Sequence, residues 1–211
     1  MFTLFGTRGS GSAMVEVALQ LAQAEFRIVD AASWEESAGL EELKKINPLA
    51  QIPTLVLPDG SVLTESAAIL MHLGLEYPAS GLLPQQASAR AQALRGLVYI
   101  AANCYAAIGI VDFPQRWCTK ANEDEQQRII AGSKQRLHHL WDVFADTFPA
   151  NLLLDGMHPS ALGLMATIVS RWSGSRVHLA TSRPAFSALL LRLEQDPQLA
   201  AVMQRHWPAQ A

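Results

Sequence analysis

Cysteine is scarce: only Cys104 and Cys118 occur in 211 residues. They form neither a C-x-x-C redox pair nor the paired spacing of a zinc site, so both read as plain thiols of a reducing compartment. An excess of one charge is also missing. Against 16 Lys and Arg stand 19 Asp and Glu, a formal net charge of -3, which lacks the electrostatic footprint of a nucleic-acid or anionic-membrane binder. The expected partners are small molecules or proteins, with no nucleic acid and no membrane. Long apolar runs are few. The least charged stretch, Gly96–Val111, includes Asn103 and falls short of the roughly 18 apolar residues of a spanning helix, so a buried helix is expected there. Met1–Gly6 carries no basic region, long apolar segment or small-residue cleavage site, and reads as the first strand of a cytoplasmic protein. Repeats and low-complexity tracts are absent.

What is present is ordinary globular composition, 50% hydrophobic and 17% charged, with length enough to bury a core without disulfides. The first third alternates strand and helix patterns. Strands are expected at Phe2–Phe5, Phe26–Val29, Thr54–Leu57 and Val62–Leu63, and helices at Ala13–Ala24, Leu40–Ile46 and from Thr64 or Glu65 to Tyr77. The opening strand, helix and strand form a βαβ unit with a right-handed crossover. Asp59-Gly60 is a hairpin turn, so the small four-stranded sheet is mixed. The breaker-rich segment Pro78–Pro84 has linker composition. The expected division is an α/β domain over residues 1–77, a linker over 78–86 and an all-helical domain over 87–211. Beyond the linker helices are expected at 87–111, 123–148, 160–172, 184–195 and 197–206, with no competing strand and with Ser160 as an N-cap after His158-Pro159.

Three features carry chemistry. The segment Asn47-Pro48-Leu49-Ala50-Gln51-Ile52-Pro53-Thr54-Leu55 places a proline at the start of a strand, where its missing donor is tolerated. If the Ile52-Pro53 bond is cis, the Ile52 backbone is turned outward to pair with a peptide-like ligand; if trans, Pro53 only begins the strand. Thr64-Glu65-Ser66 opens a helix, where first-turn amides and a hydroxyl suit a carboxylate and Glu65 suits an ammonium. The alternative is a Thr or Ser cap with a dipole-compensating acid. Gly9-Ser10-Gly11-Ser12 joins the first strand to the first helix and is open to an anion, with Ser12 as a possible cap and Ser10 less suited to that role.

In their order these motifs resemble the cytosolic glutathione transferase family: a thioredoxin-like domain with an N-terminal serine, N-P-x-x-x-I-P-T-L, T-E-S-A-A-I-L, then helices. The resemblance implies that glutathione is the co-substrate. Pro53 would be the family's cis-proline, Ile52 would pair with the cysteinyl part of glutathione, and Glu65 and Ser66 would hold its γ-glutamyl end. Ser10 would be the thiol-activating residue, with Ser12 and the Gly11 amide as close alternatives. The implied activity is detoxifying transfer to an electrophile or attack on a disulfide, by a homodimer in which the third helix of one subunit faces the first long helix of the other. A non-catalytic interaction module of the same fold is the rival.

Two positions depart from the family pattern. Gln51 stands where many members have a lysine for the glycyl carboxylate. Gly163 replaces the usual aspartate three residues after Ser160, so the reciprocal cap is incomplete and a weaker helix start is expected. Asp155-Gly156 before Ser160 matches. Tyr99, Asn103, Tyr105, Arg116 and Trp117 are candidates to line a second pocket, against the alternative that they are core. His72 and the adjacent pair His138-His139 lack the i, i+4 spacing of helix metal ligands, so no metal is assigned.

Overall fold

In a computed structural model describing residues 1–155 and 158–208, β1 (Phe2–Gly6) lies inside the sheet. It pairs in parallel with β2 (Phe26–Asp30) and antiparallel with β3 (Thr54–Val56). A turn at Asp59-Gly60, with Ser61 donating from both its backbone and hydroxyl to Asp59 Oδ1 at 2.9 and 2.6 Å, brings back β4 (Val62–Leu63). The order β2-β1-β3-β4 is the mixed four-stranded sheet expected.

Strand alternation sorts the side chains. Phe2, Leu4 and Leu55 join the main core with α1 (Ser12–Leu21) and α3 (Ser66–Glu76), while Phe5 faces Leu40 and Leu43 of α2 (Ala38–Ile46) in a separate small cluster. The segment after α3 has linker composition, yet Leu82 and Leu83 are plugged into the main core and the Leu82 carbonyl accepts from Ala161 N at 2.8 Å.

The helical part starts with α4 (Ala87–Tyr99), a π turn (Ile100–Tyr105) and α5 (Ala106–Asp112). This continuous stretch of 26 residues is longer than the apolar run read from the sequence, and is long and apolar enough by composition to cross a membrane. Its Ala93, Leu97, Ile100 and Cys104 are buried among the other helices. Next comes α6 (Glu123–Thr147), started by an Asn122–Glu125 capping box, and then α7 (Ala150–Leu153).

The expectation of no further strand fails, because β5 (Leu154–Asp155) and β6 (His158–Pro159) make a short antiparallel pair; Gly156 lies outside the described residues. Helices α8 (Ala161–Val169), α9 (Ser175–Ser182), α10 (Pro184–Leu193) and α11 (Pro197–His206) complete the chain. Every residue of α8 is buried, and it packs on α1, α3, α4, α7 and α10. The α/β and helical parts therefore share one core, which fixes the two walls of the cleft between them.

Candidate active site

The approach to Pro53 is organised by one buried side chain. Asn47 Nδ2 donates to the Gln51 carbonyl at 3.1 Å and to Thr54 Oγ1 at 2.9 Å, and its Oδ1 accepts from Leu49 N at 3.1 Å. Thr54, fully buried, also donates to the Gln51 carbonyl at 2.8 Å. These bonds satisfy the turn's polar groups from within. The Ile52-Pro53 bond is cis, and Gln51, Ile52 and Pro53 all line a cleft of about 790 Å³.

In the same cleft, α3 is N-capped at Glu65, with φ 66° and ψ 108°, and neither Thr64 nor Ser66 caps it with a side-chain hydrogen bond. The capping alternative for this segment is thus not what the structure shows. Such a backbone costs a non-glycine residue about 1–3 kcal/mol and tends to occur where a site needs it. Here it leaves the positive end of α3 open beside Glu65 and Ser66, which both line the cleft.

The loop before α1 separates the two serines. Helix α1 is N-capped by Gly11 without a side-chain hydrogen bond, so Ser12 is not a cap but the first helical residue. Ser10 lines the cleft with Gly9 and Gly11, and Ser12 lies beneath, where a Cβ on Gly6 would collide with it. The hydroxyls are 2.8 Å apart. Ser10 Oγ reaches the Thr7 carbonyl at 2.7 Å, Ser12 Oγ reaches it at 3.2 Å, and Ser12 N donates to Ser10 Oγ at 3.2 Å. Three hydroxyl contacts share two hydrogens. The Ser10 hydrogen can therefore turn to a ligand while that of Ser12 still serves the loop.

Residues from the helical part form the opposite wall. Tyr105, Arg116 and Trp117 line the cleft as the sequence suggests. Tyr99 and Asn103 do not: the Tyr99 hydroxyl donates to the Leu140 carbonyl at 3.0 Å and its ring packs on Phe144 and Phe148, while Asn103 Nδ2 donates to the Tyr99 carbonyl. Sequence reasoning misses Trp34, Phe113, Met165 and Trp172, which also line it. Trp34, an exposed aromatic in a loop, has no periodicity or motif in the sequence that would assign it a partner. The Arg116 guanidinium sits 3.9 Å from the Phe113 ring centre. Cys104 is buried and its thiol is pushed up to about 12 by that burial, which leaves it protonated and inert; Cys118 is exposed. Among the described residues, no three His, Cys, Asp or Glu side chains converge as a metal site.

The family model described as "Glutathione S-transferase, N-terminal domain" matches residues 1–74. Over 215 residues the chain is 30% identical to the uncharacterized GST-like protein YncG of Escherichia coli (strain K12), covering 98% of each. A probable maleylacetoacetate isomerase of Caenorhabditis elegans is 42% identical over 88 residues, which cover 41% of this chain and 39% of that one. Among solved structures, a glutathione transferase homolog from Sulfitobacter with bound glutathione superposes with a TM-score of 0.81 at 22% identity, covering 96% of each chain. That last likeness shows the fold; the relative matched along its whole length shows the lineage. The chain belongs to the cytosolic glutathione S-transferase family.

Proposed function

We propose that this protein binds glutathione in the cleft and activates its thiol for attack on an electrophilic carbon or a disulfide. The observation that carries the reading is convergence: Ser10, the Ile52-Pro53 step and Glu65-Ser66, far apart in sequence, line one cleft onto which two helices open without side-chain caps. Glutathione has matching groups in matching order. Its α-amino acid end carries an ammonium for Glu65 and a carboxylate for the α3 start and Ser66, its peptide pairs with Ile52, and its thiol reaches Ser10. Its glycyl carboxylate lies toward Gln51, a neutral donor that holds it less strongly than a cation would.

A free thiol near pKa 8.5 is only a few per cent ionised at neutral pH, and the thiolate is the nucleophile. Lowering that value by about two units takes roughly 2.7 kcal/mol. A hydroxyl bonded to a charged acceptor supplies about 1.5–3 kcal/mol, and a helix start about 0.3–1 kcal/mol more. Ser10 acts as a donor: the thiol proton leaves to water, and the Ser10 hydrogen turns from the Thr7 carbonyl to the sulfur. In the transfer reaction the sulfur lone pair forms the new S–C bond as the leaving group departs with its bonding pair. Phe113 and Trp117, exposed aromatic residues of the helical wall, are the apolar surface offered to the electrophile.

Calorimetry is expected to show binding at millimolar glutathione or below; no heat at that concentration would refute the reading. Ser10→Ala is expected to raise the pKa of the bound thiol by about one to two units, followed by thiolate absorbance. Ser12→Ala should move it much less, since Ser10 keeps its hydrogen; the reverse pattern would exchange their roles. Turnover of an aromatic electrophile or of a small glutathione disulfide would distinguish the enzyme from a non-catalytic binder of the same fold. We also infer a homodimer, supported by Leu75 of α3 and Val98 of α4, apolar residues exposed on the two helices concerned. A sedimentation mass of one chain at micromolar concentration would exclude it.

A further inference from the structure

Tyr105 reaches the cleft from the helical part, and its hydroxyl occupies the space over Gly11. A Cβ on Gly11 would collide with that oxygen, whereas Cζ behind it would lie at 3.6 Å, an ordinary contact. The phenol and Ser66 line the same cleft. The hydroxyl thus stands at the start of α1, in the cleft onto which α3 also opens.

Two devices hold it there. The ring leans on Trp172, with centroids 5.7 Å apart. Its backbone closes the π turn Ile100–Tyr105 inside an otherwise α-helical stretch. One inserted residue rotates the remainder of a helix by about 100° around its axis, and such turns cluster at functional sites. Burial pushes the phenol well above its ordinary value, with the Ser66 side chain opposing, so it is a neutral O–H donor at physiological pH.

We propose that Tyr105 is a second catalytic donor, its O–H bonding the sulfur of bound glutathione beside that of Ser10, and that position 11 is glycine to make room for it. This rests on glutathione being the ligand. The helical part then supplies chemistry as well as an electrophile pocket, and the site is complete only when the two parts are packed together.

Tyr105→Phe keeps the ring on Trp172 and deletes only the donor. Thiolate titration of bound glutathione is expected to show the thiol's ionisation constant falling about tenfold in Tyr105→Phe, with a further fall when Ser10→Ala is added. An unchanged constant with binding intact would overturn the donor role, as would weaker binding with the constant unmoved, since that places the phenol on the γ-glutamyl carboxylate. Wild-type protein that binds no glutathione removes both the donor role and the functional reading. The steric claim is tested without ligand. Gly11→Ala should lower the melting temperature of the wild type by several degrees and leave that of Tyr105→Phe nearly unchanged; equal losses in both backgrounds would overturn the claim that Tyr105 excludes a side chain at position 11.

Discussion

Replacing Glu16 with Gln is expected to cost about 2–3 kcal/mol of stability at neutral pH and to flatten the acid limb of the stability curve. Glu16 lies on α1 at 4% exposure, where an unpaired carboxylate would be costly. Its Oε1 accepts from Arg205 Nη2, and its Oε2 is 3.1 Å from His206 Nε2, both at the end of α11. Removing one partner of a fully buried pair costs about 3–5 kcal/mol. Arg205 is half exposed, so water screens part of its contribution and the expected loss is smaller.

The pH dependence is set by the direction of the shift. Burial pushes the Glu16 carboxyl up, but the hydrogen bonds from His206 and Arg205, with their charges, outweigh it and hold the group below its ordinary value of 4.5. Its stabilisation is therefore fully present above pH 4.5 and is lost as pH falls through the lowered folded value. Urea unfolding of wild type and Glu16→Gln should give midpoints that differ most near neutrality and converge toward acid. Midpoints that stay parallel down to acid pH would show that Glu16 is not the linked group. A functional consequence accompanies this. Trp207 comes directly after α11 and packs against His206, and its indole nitrogen lies 3.7 Å from the place of a Cβ on Gly9, which lines the cleft. Loosening α11 should also weaken ligand binding.

The N-terminal part of the site was legible because its determinants are local. Asn47 bonds within seven residues, and Gly9–Ser12 and Thr64–Ser66 are contiguous. The parts that were not legible depend on distant packing. Ser12 has the composition of a cap, yet its hydroxyl is drawn to Ser10 and Thr7 because Gly6 admits it beneath the loop. The π turn leaves no periodicity signal, since apolar residues continue on both sides of it, and within it Tyr105 lines the cleft while Asn103 bonds back to the Tyr99 carbonyl. Helix α9 escapes a reading of periodicity because Ser175–Ser182 has polar and apolar residues without a clear stripe and leaves Val177 exposed.

At Gly163 sequence and packing give opposite signs, so a single substitution decides between them. The family pattern places an aspartate there, which would complete a reciprocal cap; caps are worth about 0.5–2 kcal/mol. Helix propensity likewise favours any side chain over glycine by up to about 1 kcal/mol. In the structure the Ser160 hydroxyl already accepts from Gly163 N at 3.1 Å and donates to the Leu152 carbonyl at 2.5 Å, so half of the cap stands. What excludes the other half is space. A Cβ on Gly163 would run into the Leu153 carbonyl oxygen, a backbone group that cannot rotate away. Overpacking a core costs about 1–3 kcal/mol even where side chains can yield. Gly163→Ala is therefore expected to destabilise by about 3 kcal/mol or more, and Gly163→Asp by more again, since it also buries a carboxylate. For a chain of this size that is a fall in melting temperature of roughly 6–12 °C for the alanine variant. An Asp variant as stable as wild type would mean that α7 and α8 can separate at little cost. The same displacement would move Met165, which sits two residues further along α8 in the wall of the cleft. A destabilised but folded Gly163→Ala protein should thus lose affinity for the electrophile while keeping most of that for glutathione, whose proposed contacts, Tyr105 apart, lie on the α/β wall.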